Sequence, residues 1–137
     1  MQEVVTARGH ENVTAQHAST FEVTSDDYLT PAGDCILAID ANRTPADFSE
    51  TFLGACQDSA ATITVELEAD GHREAIQGTG HPDFTFTNER SMVWRTSDYV
   101  DDRTVGVGMD KSAGDLDRNL VAALADGAAL TVTLTVE

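Results

Sequence analysis

The run Thr62-Ile63-Thr64-Val65-Glu66-Leu67-Glu68, followed by Asp70-Gly71 and then by Arg73 to Thr79, decides the fold. Alternating apolar and polar residues mark a strand with one buried face. Asp70-Gly71 suits the two central positions of a tight hairpin turn. The hairpin joins two stretches of chain that resemble each other. Glu3, Gly9, His10, Thr14, Asp27 and Tyr28 recur 71 positions later as Glu74, Gly80, His81, Thr85, Asp98 and Tyr99. The match then slips, as loops of unequal length would make it. Asp40 answers to Asp110, Asp47 to Asp115, and residues 63–68 to residues 132–137. The pattern predicts one domain, 1–137, made of two fused repeats at about 3–68 and 74–137 with a pseudo-twofold axis. Each repeat is below the roughly 70 residues at which a single core becomes adequate, so the two should share one.

Working outward, Glu3 to Arg8 reads as a strand ending at Gly9-His10, and residues 12–24 alternate as a second strand would. Cys35 to Ile39 is nearly continuously apolar and reads as a central strand. Thr44-Pro45-Ala46-Asp47 is a helix start with a cap, a first-turn proline and a capping-box carboxylate. Phe48, Phe52, Leu53 and Cys56 form its apolar stripe. The second half repeats this plan, with Ser112 to Asp115 as the start and Leu116, Leu120, Val121 and Leu124 as the stripe. Phe84 to Thr87, Met92 to Arg95, Thr104 to Met109 and Leu130 to Val136 read as strands, and Gly127 stops the helix. The expected class is strand-dominated α+β, a sandwich-like or barrel-like sheet domain with two helices.

Twenty-four acidic residues face eight basic ones, for a net charge of −16, and Lys111 is the only lysine. Such a charge repels itself at low ionic strength. At about 1 M salt the screening length falls to roughly 3 Å and the repulsion largely disappears. The acids are spread along the whole chain, which suits a salt-adapted haloarchaeal protein of the cytoplasm better than an acidic tail built for one basic partner. No cluster of Lys or Arg exists to release counterions from phosphates, which disfavours nucleic acid as a partner. No apolar run is long enough to span a membrane, and the N-terminus lacks a secretory pattern. Cys35 and Cys56 lack metal-binding spacing and read as free, small hydrophobes.

The repeated Gly-His pair puts His10 and His81 at strand ends. They are either ligands near the axis or turn residues whose rings bond backbone. His17 faces Asn88 in the other repeat, so the symmetry breaks there. His10, His17 and Asp34 make a two-histidine, one-carboxylate set of the kind that holds a divalent metal. His72, in the hairpin turn, is expected at the surface. Asp27-Tyr28 and Asp98-Tyr99 read as turn aspartates beside half-buried tyrosines. Arg103 and Lys111 stand beside acids, as structural ion pairs or as groups kept for an anionic ligand. No P-loop, Rossmann, GxSxG or HExxH pattern is present.

Gly9-His10, His17, Asp27-Tyr28-Leu29-Thr30 and Gly33-Asp34-Cys35-Ile36 together resemble a small archaeal family known as a domain of unknown function. Gly80-His81-Pro82-Asp83, Ser97-Asp98-Tyr99 and Asp102-Arg103-Thr104 carry the resemblance into the second half. It implies a strand-rich, compact, sandwich-like fold and archaeal origin, and assigns no chemistry. Where such relatives carry a lysine near His17, this chain has Ala18, which fits salt adaptation.

These readings lead to a small-ligand or protein-binding module, with His10, His17, Thr30, Asp34 and Arg103 as its site. The histidines would supply switchable donors and acceptors, Arg103 a charge for an anionic group, and Asp34 an orienting carboxylate. A small metal-dependent, hydrolase-like enzyme using His10 and His17 is the alternative. A structural homo-oligomer paired through a sheet edge is the third.

Overall fold

The computed structural model describes residues 1–137. Eight strands form two four-stranded sheets: β1 (Gln2–Arg8), β2 (Thr20–Thr24), β3 (Ile36–Ala38), β4 (Thr62–Ala69), β5 (His72–Thr79), β6 (Ser91–Arg95), β7 (Thr104–Gly106) and β8 (Ala129–Val136). The two helices, α1 (Glu50–Cys56) and α2 (Arg118–Ala125), each precede the last strand of a half. The class is strand-dominated α+β.

The first sheet has the order β1-β8-β4-β5 and is antiparallel throughout. The second has the order β3-β2-β6-β7, with an antiparallel centre and parallel outer pairs. Each order reads the same backwards when β1 to β4 are exchanged for β5 to β8. Asp70 and Gly71 take φ of 51° and 79°, the left-handed geometry that a two-residue hairpin requires between β4 and β5.

Period-two burial explains the core. Ile63, Val65 and Leu67 of β4 and Leu130, Val132, Leu134 and Val136 of β8 all point inward. Phe21 and Val23 of β2 and Met92 and Trp94 of β6 meet them in one hydrophobic cluster. Phe21 stacks on Trp94 at 4.8 Å between ring centroids. Isolated bridges join Arg8 to Ile39 and Thr79 to Val107, so the β1 and β5 edges of the first sheet touch the segments just after β3 and β7.

Four local expectations are corrected. Residues 12–19 are not a strand: Ala15 has φ 47°, and Gln16 and His17 donate their N–H groups to the Asp34 carbonyl instead of to a ladder. Residues 84–87 likewise form no strand, and Phe86 has φ 50°. β3 is an edge strand, and Cys35 outside it is only half-buried. The capping boxes at Thr44 and Ser112 close short 3-10 turns, Pro45–Asp47 and Ala113–Asp115. The chain turns extended at Phe48 and Leu116, and the α-helices start afresh under Ser49 and Asp117. Ser49 Oγ accepts from Phe52 N at 3.1 Å, and Asp117 Oδ1 from Asn119 N at 2.7 Å. No helix is long and apolar enough to cross a membrane.

Candidate functional site

The site grows from the centre of the second sheet. β2 and β6 run antiparallel with Glu22 opposite Val93, Thr24 opposite Ser91 and Thr20 opposite Arg95. Phe21, Val23, Met92 and Trp94 occupy the core side. By the strand's period of two, Thr20, Glu22, Thr24, Ser91, Val93 and Arg95 share the other side. Loops 25–35 and 96–103 fold over that face. Ser25 N and Oγ both donate to the Arg90 carbonyl, and Asn88 N donates to the Asp102 carbonyl.

Between loop 25–35 and segment 88–91, with Arg103 beside them, lies a cleft of about 370 Å³. Its floor is Glu22, Thr24 and Ser91. Arg90, Arg103 and Asn88 line it together with Tyr28, Leu29, Thr30, Gly33 and Ile36. Arg90 is clamped on Asp26 through Nε at 2.8 Å and Nη2 at 2.9 Å, and Nη2 also donates to the Tyr28 hydroxyl at 3.1 Å. This clamp holds the exposed Tyr28 ring at the mouth and pulls the Asp26 carboxyl below its ordinary range.

Glu22 is poorly satisfied. Burial pushes its carboxyl above the ordinary range, against the pull of Arg103, the Cys35 thiol, Ser91 and Arg95. Arg103 Nη1 stands 3.6 Å from Glu22 Oε1, too long for a good hydrogen bond. The Cys35 thiol approaches the same oxygen at 3.8 Å, and burial beside Glu22 lifts it to about 11. That thiol is therefore a weak donor and no nucleophile at neutral pH. Arg103 Nη2 reaches Asp101 at 3.4 Å, so the guanidinium keeps donors for another acceptor. A second hollow of about 410 Å³ lies on the first sheet between Glu66, Glu68, Arg73 and Glu74, with Thr131 and Thr133 beside it.

Of the residues expected from sequence, Thr30 and Arg103 line the cleft; His10, His17 and Asp34 do not. The Gly-His turns are anchored elsewhere. A Cβ on Gly9 would fall 1.9 Å from the Leu124 carbonyl oxygen, and one on Gly80 would fall 2.1 Å from that of Cys56. Each turn thus packs on the last turn of a helix. His10 Nδ1 accepts from Asn12 N and His81 Nδ1 from Asp83 N, each at 3.0 Å. His17 Nδ1 accepts from Ser19 N and Thr20 N at 3.2 and 3.1 Å, while Asn88 Oδ1 accepts from Arg90 N and Ser91 N at 2.9 and 2.8 Å. His17 and Asn88 therefore do one job, holding the entry to β2 and β6. No three His, Cys, Asp or Glu side chains converge closely enough to hold a metal, so His10, His17 and Asp34 do not assemble as a ligand set. His72 is partly buried, where full exposure was expected.

Glu22, Thr24, Arg90 and Ser91 are cleft residues that sequence reasoning passed over. The signal available was Glu22 between Phe21 and Val23, a carboxylate on a strand whose neighbours are core.

The model of the family described as a domain of unknown function, DUF371, matches residues 5–137. The chain belongs to this family. It is also similar to an uncharacterized protein of Methanocaldococcus jannaschii, 40% identical over 136 residues that span 99% of this chain and 100% of that one. The DUF371 match takes in the whole cleft, from Glu22 to Arg103.

Proposed function

We propose that this DUF371 protein is a small-ligand-binding module whose site is the cleft between loop 25–35 and segment 88–91, with Arg103. One observation carries the reading: two arginines and a half-buried carboxylate line a single cavity together with Tyr28, Leu29 and Ile36. A cavity of this size is in the range of small-molecule sites, and its mostly polar and charged lining suits a polar ligand. Arg90 and Tyr28 are fixed in place by the Asp26 clamp, so a ligand meets a rigid rim and little side-chain entropy is lost on binding. In this reading Thr30 supplies contact and Arg103 charge, and both line the cleft.

The same reading treats the two halves as fused repeats about a pseudo-twofold axis passing near the Glu22–Val93 pair. The palindromic strand orders and the paired backbone contacts support this. The bridges at Ile39 and Val107 support a barrel-like closure of the two sheets. Net charge and scarce lysine support a salt-rich, haloarchaeal cytoplasm as its setting.

The test is a thermal-shift screen of small organic molecules in molar potassium chloride, run on wild type and on Ile36→Trp, which extends a large ring into the cleft. Ligands that raise the melting temperature of wild type should lose that effect in the variant. Equal shifts in both proteins would place binding elsewhere and end this reading.

A further inference from the structure

The cleft has a counterpart in the other half, and there it is full. Backbone bonds fix the correspondence. Glu22 N donates to the Cys35 carbonyl as Val93 N does to that of Arg103. His17 N donates to the Asp34 carbonyl, and Asn88 N to that of Asp102. Ile36 N donates to Gly33 O, and Thr104 N to Asp101 O. Glu22 thus matches Val93, Thr24 matches Arg95, Tyr28 matches Tyr99, Gly33 matches Asp101, and Ile36 matches Thr104. Between tyrosine and aspartate the first half has Leu29 to Gly33, and the second only Val100 and Asp101. The first loop is therefore longer by three residues.

In the second half, Arg95 occupies the space. Its Nε donates to Thr104 Oγ1 and its Nη2 to Asp101 Oδ2, each at 3.0 Å, and its guanidinium lies 4.9 Å from the centre of the Tyr99 ring. In the first half the same positions hold Thr24, Ile36, Gly33 and Tyr28, and all four line the cleft. The long side chain has been exchanged for a short one. Its carboxylate and hydroxyl partners have been exchanged for glycine and isoleucine. What remains is a pocket lined by Tyr28, Leu29 and Ile36 and by Arg90 and Arg103.

We infer that the cleft takes a small organic anion: a carboxylate-type head on Arg103 and Arg90, and a short apolar body in the space that Arg95 fills in the other half. The inference rests on the cleft being the ligand site. It is specific about charge because the lost partner at Gly33 is a carboxylate. Of the two carboxylates that line the cleft, Asp26 is paired with Arg90, and Glu22 stands 3.6 Å from Arg103.

The experiment is a titration followed by amide NMR in molar potassium chloride. The probes are hexanoate, acetate and hexylammonium, on wild type, Thr24→Arg and Arg103→Gln. Thr24→Arg places in the first half the side chain that the second half accommodates. Arg103→Gln alters a partly exposed residue and leaves the packing intact. The expected result is that hexanoate perturbs Thr24, Tyr28, Gly33 and Ile36 at least tenfold more tightly than acetate or hexylammonium. Thr24→Arg should abolish the response, and Arg103→Gln should weaken it about tenfold. Hexylammonium binding these residues more tightly than hexanoate would overturn the anion assignment and leave the cleft as the ligand site. An unchanged hexanoate response in both variants, or a response confined to other residues, would overturn the assignment and the site together.

Discussion

At the scale of single residues, the histidines and glycines that stand out in the sequence are framework. Gly9 exists because a helix carbonyl occupies the place of its Cβ. Gly9→Ala should therefore destabilise the fold by about 1–3 kcal/mol or more, as overpacking does. Gly54→Ala, which meets open space inside α1, should stabilise it by about 0.5–1 kcal/mol. Urea unfolding of the two variants measures both. His17 serves as an acceptor for two backbone N–H groups, the task Asn88 performs in the other half. His17→Asn should change stability by less than about 0.5 kcal/mol, and His17→Ala should cost about 1 kcal/mol, like a lost cap. Equal losses in the two would refute the shared role. The carboxylates divide by environment. Burial raises Glu22, so its folded form holds a proton more readily than its unfolded form. Its charge opposes folding at neutral pH, and this opposition vanishes as pH falls below the unfolded carboxylate range of about 4. At Asp101 burial works in the same direction, but the Arg103 N–H, the Thr104 hydroxyl and the guanidiniums of Arg95 and Arg103 together outweigh it and lower the carboxyl. Its stabilisation is present above about pH 4 and is lost as pH falls through the folded value. Glu22→Gln should thus gain stability at pH 7 and Asp101→Asn should lose it, both differences closing towards pH 3. Melting curves across that range give the signs.

At the scale of elements, the hairpin at Asp70-Gly71 and the capping boxes at Thr44 and Ser112 were legible, because their chemistry is local. The helix starts were misplaced by a few residues, since the boxes close 3-10 turns and Ser49 and Asp117 cap the helices proper. Ser49→Ala should cost about 1 kcal/mol, measured by denaturant unfolding, because it leaves the Phe52 N–H without its acceptor. Residues 12–19 imitate a strand because Val13 and Ala15 are buried at alternate positions. Their backbone bonds go to the Asp34 loop, which no local pattern reveals. β3 is apolar and yet at an edge, since the neighbouring loops and the bridge at Ile39 cover it. The correspondence of Asp40 with Asp110 is likewise revised. Asp40 and Gly108 share the left-handed conformation, at φ 55° and 57°. Asn42 Oδ1 accepts from Thr6 N as Asp110 Oδ1 accepts from Gln77 N. This slip matches the three extra residues of Leu29–Gly33 relative to Val100–Asp101. Of the residues that line the cleft, Thr30 and Arg103 stood out in the sequence as candidates, whereas Glu22, Thr24 and Arg90 come together only when β2 meets β6.

At the scale of the molecule, one core serves both halves, and the surface carries a net charge of −16. The cleft departs from that surface, since its two arginines balance its two carboxylates. Raising potassium chloride from about 0.1 M to 1 M shortens the screening length from roughly 10 to 3 Å. The melting temperature should rise over that interval, and a fall would contradict self-repulsion as the dominant surface effect. The most direct test of the account is a crystallographic soak of small organic molecules into the wild-type protein. The account predicts that occupants gather between Tyr28, Ile36, Arg90 and Arg103 with the Arg95 side left filled by its own side chain. Occupants confined to the acidic hollow on the first sheet, or to the Gly-His turns, would contradict it.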